Sequence, residues 1–162
     1  MKIALGADHR GYQTKEKVKG FLTSMGYEVL DFGTDSPSSS DYPDYVYPAC
    51  QAVTSGEAES AILFCGTGIG MSIMANKVRG IRAALCHDEF TAGMSRRHNN
   101  ANILCLPADL IGEELTRRIV EVWLKTRFEG GRHERRVRKI NEFEDRQIQC
   151  KPDQPPPGQP PA

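Results

Sequence analysis

The residues best suited to chemistry lie in one short segment, where an apolar run ends at Cys65 and glycines follow at positions 66, 68 and 70. Alternate glycines at the junction between a strand and a helix would expose consecutive peptide N–H groups, which bind a phosphate or a transient oxyanion. The positive end of the following helix would also favour the thiolate form of Cys65. A simpler interpretation competes with this one, because cysteine is often buried and glycines often form turns.

The glycine spacing does not fit the common nucleotide-binding motifs. A P-loop requires a lysine and a hydroxyl residue after its last glycine, and Met71-Ser72 supplies no lysine. A dinucleotide fingerprint would require its third glycine at position 71, which is methionine. The loop therefore predicts neither kind of nucleotide site.

Three of the four histidines lie on or beside predicted strand ends or loops. His9 follows Asp8 after the first strand, and His98 lies in SRRHNNANI just before the fifth. Each could be a capping or packing residue, or a group that transfers a proton near neutral pH. The segment HDE at 87–89 could bind a metal, but capping of a helix by its aspartate explains it. Without a spaced cluster of metal-ligand residues, we predict no metal site.

Five short apolar segments alternate with helical patterns along the chain. The predicted strands are KIAL, EVLDFG, SAILFC, RAALCH and NILCLP, and the predicted helices cover about 18–25, 43–56, 69–78, 88–97, 111–125 and 132–147. This alternation predicts an α/β fold in three layers (α/β/α), with a five-stranded, parallel, doubly wound, Rossmann-like sheet. We predict a single domain at 1–148 and a proline-rich, disordered tail at 149–162. Ligands of such sheets bind outside the carboxyl ends of the strands.

Composition excludes several classes of function. The 21 lysines and arginines balance the 21 aspartates and glutamates, so no global field attracts nucleic acid or an anionic membrane. No apolar stretch approaches the roughly 18 residues of a membrane span, and the N-terminus lacks a secretory signal. Five scattered cysteines without a CxxC pair are typical of a reducing compartment. We expect a cytoplasmic protein.

Five blocks of the sequence, taken together, resemble the ribose-5-phosphate isomerase B family, which also includes the galactose-6-phosphate isomerase subunits. The blocks are GADHRGY, SDYPDY, CGTGIGMSIMANKVRGIRAALC, MSRRHNNANIL and FEGGRHERRVRKI. The resemblance implies an enzyme that interconverts aldose and ketose phosphates through an enediolate, with no metal or other cofactor. It also implies a homodimer, or a dimer of dimers, with active sites shared between subunits.

Ribose 5-phosphate and ribulose 5-phosphate are the expected substrates. Another aldose phosphate, such as a six-carbon one, is an open alternative. A noncatalytic sugar-phosphate sensor and a thiol redox protein are further alternatives. A sensor would have no use for a base, and no resolving cysteine lies near Cys65 in the sequence.

The resemblance also assigns roles to individual residues. Cys65 would be the base that moves a proton between C2 and C1, and His98 would open the furanose ring by acid–base transfer. The peptide N–H groups of 66–70 would stabilise the enediolate oxygen. The implied substrate contacts are Asp8, His9, Tyr42, Gly66, Thr67, Gly68, Ile69, Gly70, Asn99, Asp109, Arg132 and Arg136.

The phosphate site contains one departure from the family pattern. Arg132 and Arg136 match the family's phosphate ligands, and their i, i+4 spacing places them on one face of a helix. Many relatives carry Gly-x-Arg after the fifth strand, and that arginine also reaches the phosphate. This chain has Asp109 there. Because a carboxylate cannot pair with a phosphate, either another cation substitutes or the substrate is held differently.

Overall fold

The computed structural model describes residues 1–149, which form a five-stranded parallel sheet between two layers of helices. The strands are β1 (Lys2–Ala7), β2 (Glu28–Asp31), β3 (Ser60–Cys65), β4 (Ala83–Leu85) and β5 (Ile103–Pro107). The helices are α1 (Tyr12–Ser24), α2 (Pro43–Thr54), α3 (Ile69–Ala75), α4 (Glu89–Asn99), α5 (Glu113–Lys125) and α6 (Arg132–Gln149). The predicted three-layer fold is confirmed, although α3 ends at Ala75, three residues before the predicted end. Apart from Gln149, the predicted tail at 149–162 lies outside the described residues.

The strand order is β2-β1-β3-β5-β4, an order that the sequence alone did not provide. The chain passes from β1 outward to β2 and then crosses to β3 on the other side of β1. The direction of winding therefore reverses between β1 and β3. Such a reversal opens a crevice at the carboxyl ends of the two strands, where ligands of open α/β sheets bind.

Each face of the sheet has its own hydrophobic core. On one face, α1, α4 and α5 cover side chains that include Phe64, Leu106 and Trp123. On the other face, α2 and α3 cover a second set that includes Leu63 and Met71. All six residues of β3 are buried. This double coverage explains why the strand reads as the uninterrupted apolar run SAILFC.

One buried charge fastens α1 to the end of β2. Lys15 is 1% exposed, and its Nζ lies 2.9 Å from both carboxylate oxygens of Asp31 and 2.9 Å from the carbonyl oxygen of Thr34. Lys19 donates a further hydrogen bond to Asp31 at 2.8 Å. Burial raises the pKa of Asp31, but the hydrogen bonds from Lys19 and Lys15 outweigh it and hold this pKa below its ordinary value.

Helix α4 returns the chain from the carboxyl edge of the sheet to the amino edge. It begins at Asp88, whose side chain accepts a hydrogen bond from the N–H of Thr91 at 2.7 Å, as the capping prediction requires. At its other end, the Arg82 guanidinium donates to the carbonyl oxygens of Asn99 and Asn100. Because Arg82 directly precedes β4, α4 ends at the amino edge.

None of the helices within 1–149 combines the length and apolar character that crossing a membrane would require.

Candidate active site

Cys65 ends β3 beside the crevice, under a loop that folds over its sulfur. The peptide N–H of Gly68 donates a hydrogen bond to Sγ at 3.1 Å, and the cysteine is 6% exposed. Gly68 has φ +73, and a Cβ atom there would lie 2.5 Å from Cδ1 of Leu85. Glycine is thus required both by the left-handed backbone and by the close packing.

The other cysteines of the described chain have a different environment. Cys50, Cys86 and Cys105 are also buried free thiols. Burial raises the pKa of Cys50 to about 12 and raises the pKa of Cys105 well above its ordinary value. Burial favours the protonated form of these thiols, whereas the sulfur of Cys65 accepts a hydrogen bond from the peptide N–H of Gly68.

Asp8 and His9 lie next to Cys65 because β1 pairs with β3. The N–H of Asp8 donates to the carbonyl oxygen of Phe64 at 3.3 Å. Oδ1 of Asp8 accepts hydrogen bonds from the N–H groups of Arg10 and Gly11, both at 3.0 Å. This turn uses only one carboxylate oxygen and leaves Oδ2 to face a ligand. The N–H of Ser40 donates to Nδ1 of His9 at 3.2 Å, which holds the imidazole at the edge of the crevice.

Tyr42 and the rest of the glycine loop form the second wall. The Tyr42 ring packs so closely on Gly70 that a Cβ atom there would lie 2.8 Å from its Cζ. Thr67 is exposed, and its hydroxyl accepts a hydrogen bond from the N–H of Ile69 at 3.3 Å. Ile69 is 52% exposed. The sequence-predicted loop 66–70 therefore lies beside Tyr42 at the mouth of the crevice.

Asp109 lies on the third side of Cys65, paired with an arginine that the sequence analysis did not single out. The N–H of Asp109 donates to the carbonyl oxygen of Gly66 at 3.1 Å. Its Oδ2 accepts from Nε and Nη2 of Arg10 at 2.7 and 2.6 Å. The Arg10 Nε also lies 2.8 Å from where a Gly66 Cβ would be. The Arg10 guanidinium therefore lies beside the position where the family arginine was expected. In the sequence, the signal for Arg10 was its place close to Asp8 in GADHRGY.

These residues form what we call the carboxyl-edge cluster. It comprises Asp8, His9, Arg10, Tyr42, Cys65, the loop 66–70 and Asp109. All of them lie at or just after the carboxyl ends of strands, or in the loop that precedes α2.

The remaining predicted site residues, together with Glu129 and His133, form a second group, the amino-edge cluster. It comprises His98, Asn99, Glu129, Arg132, His133 and Arg136. The imidazole rings of His98 and His133 stack with centroids 4.0 Å apart and planes 4° apart. The N–H of Glu129 donates to the carbonyl oxygen of Arg97 at 3.1 Å, which joins the start of α6 to the end of α4. Arg132 and Arg136 are exposed on the first turns of α6.

Glu129 and His133 were not predicted as site residues. Their i, i+4 spacing and the position of His133 between the two phosphate-ligand arginines were available signals. The stacking of His133 on His98 was not, since it depends on how α6 packs against α4.

The two clusters lie at opposite edges of the sheet. Ala61 pairs with Ile103 at the amino edge, and Cys65 pairs with Pro107 at the carboxyl edge. The four residue steps from Ala61 to Cys65 span about 13 Å of extended strand. The carbonyl oxygen of Asn102, just after α4, accepts from the N–H of Ala61, so His98 belongs to the amino edge. One chain therefore does not bring Cys65 and His98 to the same small molecule.

Two surface cavities of the described chain avoid the thiol. One, of about 680 Å³, lies between β4, α3 and α6 and reaches Asn99 and Arg82 of the amino edge. The other, of about 230 Å³, lies between α1 and α5. Neither is lined by Cys65, as expected if the crevice lacks its outer wall in a single chain.

Comparison with known proteins shows similarity over almost the whole described chain. Residues 3–140 match the family described as Ribose/Galactose Isomerase. Ribose-5-phosphate isomerase B of Escherichia coli (strain K12) is 45% identical over 145 residues, which cover 90% of this chain and 97% of that protein. D-erythrulose-4-phosphate isomerase of Pectobacterium atrosepticum is 42% identical over 145 residues, covering 89% of this chain and 95% of that protein. The structure of ribose-5-phosphate isomerase B from Clostridium thermocellum superposes with a TM-score of 0.89 at 52% identity and covers 91% of this chain and 99% of that one.

Proposed function

Because the chain belongs to the ribose/galactose isomerase family, we propose that it interconverts ribose 5-phosphate and ribulose 5-phosphate. The sequence-predicted family and reaction class agree with this membership. The observation that carries the proposal is the thiol of Cys65, held under a glycine loop at the reversal point of the sheet. We also infer a cytoplasmic location, where phosphorylated sugars are available.

The carboxyl-edge cluster is suited to the proton transfer. The Cys65 thiolate takes the proton from C2 of the open-chain aldose, and the electron pair moves toward the C1 carbonyl to give an enediolate. The thiol then returns the proton to C1 while the proton of the C2 hydroxyl passes to the C1 oxygen, so that C2 becomes the ketone and C1 the CH2OH group. Peptide N–H groups of the loop 66–70 stabilise the negative oxygen of the intermediate. Oδ2 of Asp8 accepts a hydrogen bond from a sugar hydroxyl.

The amino-edge cluster is suited to ring opening and phosphate binding. His98 transfers the proton that opens the furanose, Asn99 contacts the sugar, and Arg132 and Arg136 pair with the phosphate. Within one chain these side chains are about 13 Å of strand away from Cys65. We therefore infer that a second copy supplies them to each site, in a homodimer with two identical composite sites.

Exposed apolar side chains support this pairing of subunits. Ile69 and Ile73 of α3 are 52% and 57% exposed, close to the carboxyl-edge cluster. Ile140 and Phe143 of α6 are 51% and 57% exposed, on the same helix as the phosphate-ligand arginines. Apolar surface of this kind beside an incomplete site is typical of a protein–protein interface.

Arg10 is our candidate for the cation that replaces the family arginine. Its guanidinium lies beside Gly66 and is held there by Asp109. Asp109 then orients a cation rather than facing the phosphate directly. This arrangement favours retention of a sugar phosphate as the substrate despite the aspartate.

The deciding experiment is an aldose–ketose assay on the purified protein. Ribose 5-phosphate and ribulose 5-phosphate should give the highest kcat/KM in a panel that includes erythrulose 4-phosphate and six-carbon aldose phosphates. Treatment with a chelator should leave the rate unchanged. If the protein prefers another sugar phosphate, the proposed type of reaction stands and the proposed substrate is wrong. Binding of sugar phosphates without any turnover would instead identify a noncatalytic sensor.

A further inference from the structure

Three potential metal ligands converge in the amino-edge cluster. Nε2 of His98 lies 3.8 Å from Oε2 of Glu129, and Nε2 of His133 lies 3.6 Å from the same oxygen. All three ligand atoms lie within 4.8 Å of one another. Among the described residues, these two histidines and this glutamate lie close enough together to bind one metal ion.

These separations are close to those of a zinc site. Bonds of about 2.0–2.1 Å in a tetrahedron place neighbouring ligand atoms about 3.4 Å apart. The two histidine–carboxylate distances exceed this value by only a few tenths of an ångström. Because the rings are stacked nearly parallel, both imidazoles must turn out of the stack before their Nε2 lone pairs meet at one ion. Two histidines and one carboxylate also form a ligand set that leaves a fourth position open.

The surroundings prepare the three ligands for a cation. Burial, together with nearby His98 and Arg132, holds the pKa of His133 below its ordinary value. Nε of Arg132 lies 3.3 Å from Nε2 of His133, which makes that nitrogen an acceptor with its lone pair outward. Arg97 donates to Oε1 of Glu129 at 2.6 Å and leaves Oε2 toward the imidazoles. Such a contact to a ligand carboxylate orients it for the metal.

Positive charges near the three ligands oppose the binding of a divalent cation. Arg97, Arg132 and Arg136 face the cluster, and Arg132 must release His133 before an ion can bind there. The guanidiniums of Arg132 and Arg136 are also the proposed phosphate ligands. A metal ion and a substrate phosphate therefore make conflicting demands on the same side chains.

We propose that His98, Glu129 and His133 form an inhibitory zinc site. The ion occupies Nε2 of His98, the atom needed for proton transfer in ring opening, and displaces Arg132 from His133. Binding of zinc depends only on the three ligands. The inhibition rests on the proposed function, because it requires that His98 act on the sugar.

Binding can be measured directly on the full chain after treatment with a chelator. Zn²⁺ is titrated against a chromophoric chelator, and Co²⁺ is used as a spectroscopic substitute. One ion per chain should bind, with visible absorption typical of four-coordinate cobalt and no thiolate-to-cobalt charge-transfer band. Glu129→Gln and His133→Gln should each weaken Zn²⁺ binding by about tenfold or more. His87→Gln, an exposed histidine outside the cluster, should leave binding unchanged.

The competing ligand is the thiol of Cys65, and one variant separates the two. Cys65→Ala should retain the same Zn²⁺ affinity. If Cys65→Ala loses the ion, or if both Glu129→Gln and His133→Gln keep it, the proposed site is wrong. Failure of the wild-type chain to bind Zn²⁺ has the same meaning. If His133→Gln does not fold because His133 is buried, the partly exposed Glu129→Gln variant alone tests whether the ion binds at this site.

The activity measurement tests the other half of the proposal. Zn²⁺ should inhibit conversion of cyclic ribose 5-phosphate, a chelator should restore it, and Glu129→Gln should be less sensitive to the ion. If Zn²⁺ binds at the three ligands without inhibiting, the zinc site stands and the proposed role of His98 fails.

Discussion

Mixing two inactive variants tests whether the active site is divided between subunits. Cys65→Ala removes the base from the carboxyl-edge cluster, and His98→Ala removes the proton donor from the amino-edge cluster. These clusters are separated by about 13 Å of strand within one chain. If each site takes one cluster from each subunit, a mixed dimer has one site with both groups intact and one site with neither.

The expected recovery follows from the two-fold symmetry of the proposed dimer. Isolated mixed dimers should have about half of the wild-type activity per dimer, because one of two sites is complete. Random association of equal amounts gives mixed dimers in half of the population, so the unseparated mixture should recover about one quarter. Each parent measured alone gives the baseline, including spontaneous ring opening in His98→Ala.

The assay is made on dimers that carry a different affinity tag on each subunit, purified over both tags in turn. Cyclic ribose 5-phosphate is the substrate, since the role of His98 concerns ring opening. A matched control pairs the Cys65→Ala subunit with a subunit that carries both substitutions, and it should stay inactive. Activity of the mixed dimer no higher than the mean of its parents would refute the composite site.

Four further variants have expected outcomes. Cys65→Ala should lose nearly all turnover while a substrate analogue binds with little change, and near-normal turnover would exclude the thiol as the base. Arg136→Ala should lose a charge-assisted contact of roughly 1.5–3 kcal/mol, a ten- to hundredfold rise in KM, whereas Arg135→Ala should have little effect. Asp109→Asn should raise the inhibition constant of inorganic phosphate severalfold, because the carboxylate orients Arg10, and tighter inhibition would mean that the ion pair withholds this arginine from the phosphate. Asp31→Asn should lower the free energy of unfolding by about 3 kcal/mol, measured in urea, because it leaves the buried Lys15 with only the exposed Glu16 as a carboxylate partner. Since the pKa of this carboxyl lies below its ordinary value of 3.8, its contribution is present above that pH and is lost as the pH falls further.

The order of elements could be predicted because each strand is marked by local pattern. β3 is apolar along its length because both faces are covered, and α4 begins where Asp88 provides a cap. The end of α3 was placed three residues too late, because the N–H groups of Lys77 and Val78 bond to carbonyl oxygens three residues back, as in a turn, rather than four. Strand order depends on which helices pack on which face, and no local pattern records that.

The site was predicted in its residue types but not in its pairings. Cys65, Asp8 and the glycines lie together because strand ends in a parallel sheet share an edge. The pairing of Arg10 with Asp109 joins residues 99 positions apart, and its geometry arises from the packing of β1 and β5 on either side of β3. The sequence shows that the family arginine is missing at 109, but it does not show which residue replaces it. The structure places a candidate at position 10.

The division of the site follows from the architecture itself. In a parallel sheet every strand ends at one edge, and every connecting helix returns the chain to the other. Cys65 is the last residue of a strand, whereas His98 is near the end of the helix that precedes the next one in the sheet. The two therefore lie at opposite edges of the sheet in this chain. If both act on one sugar, as we propose, the histidine comes from a second copy of the chain.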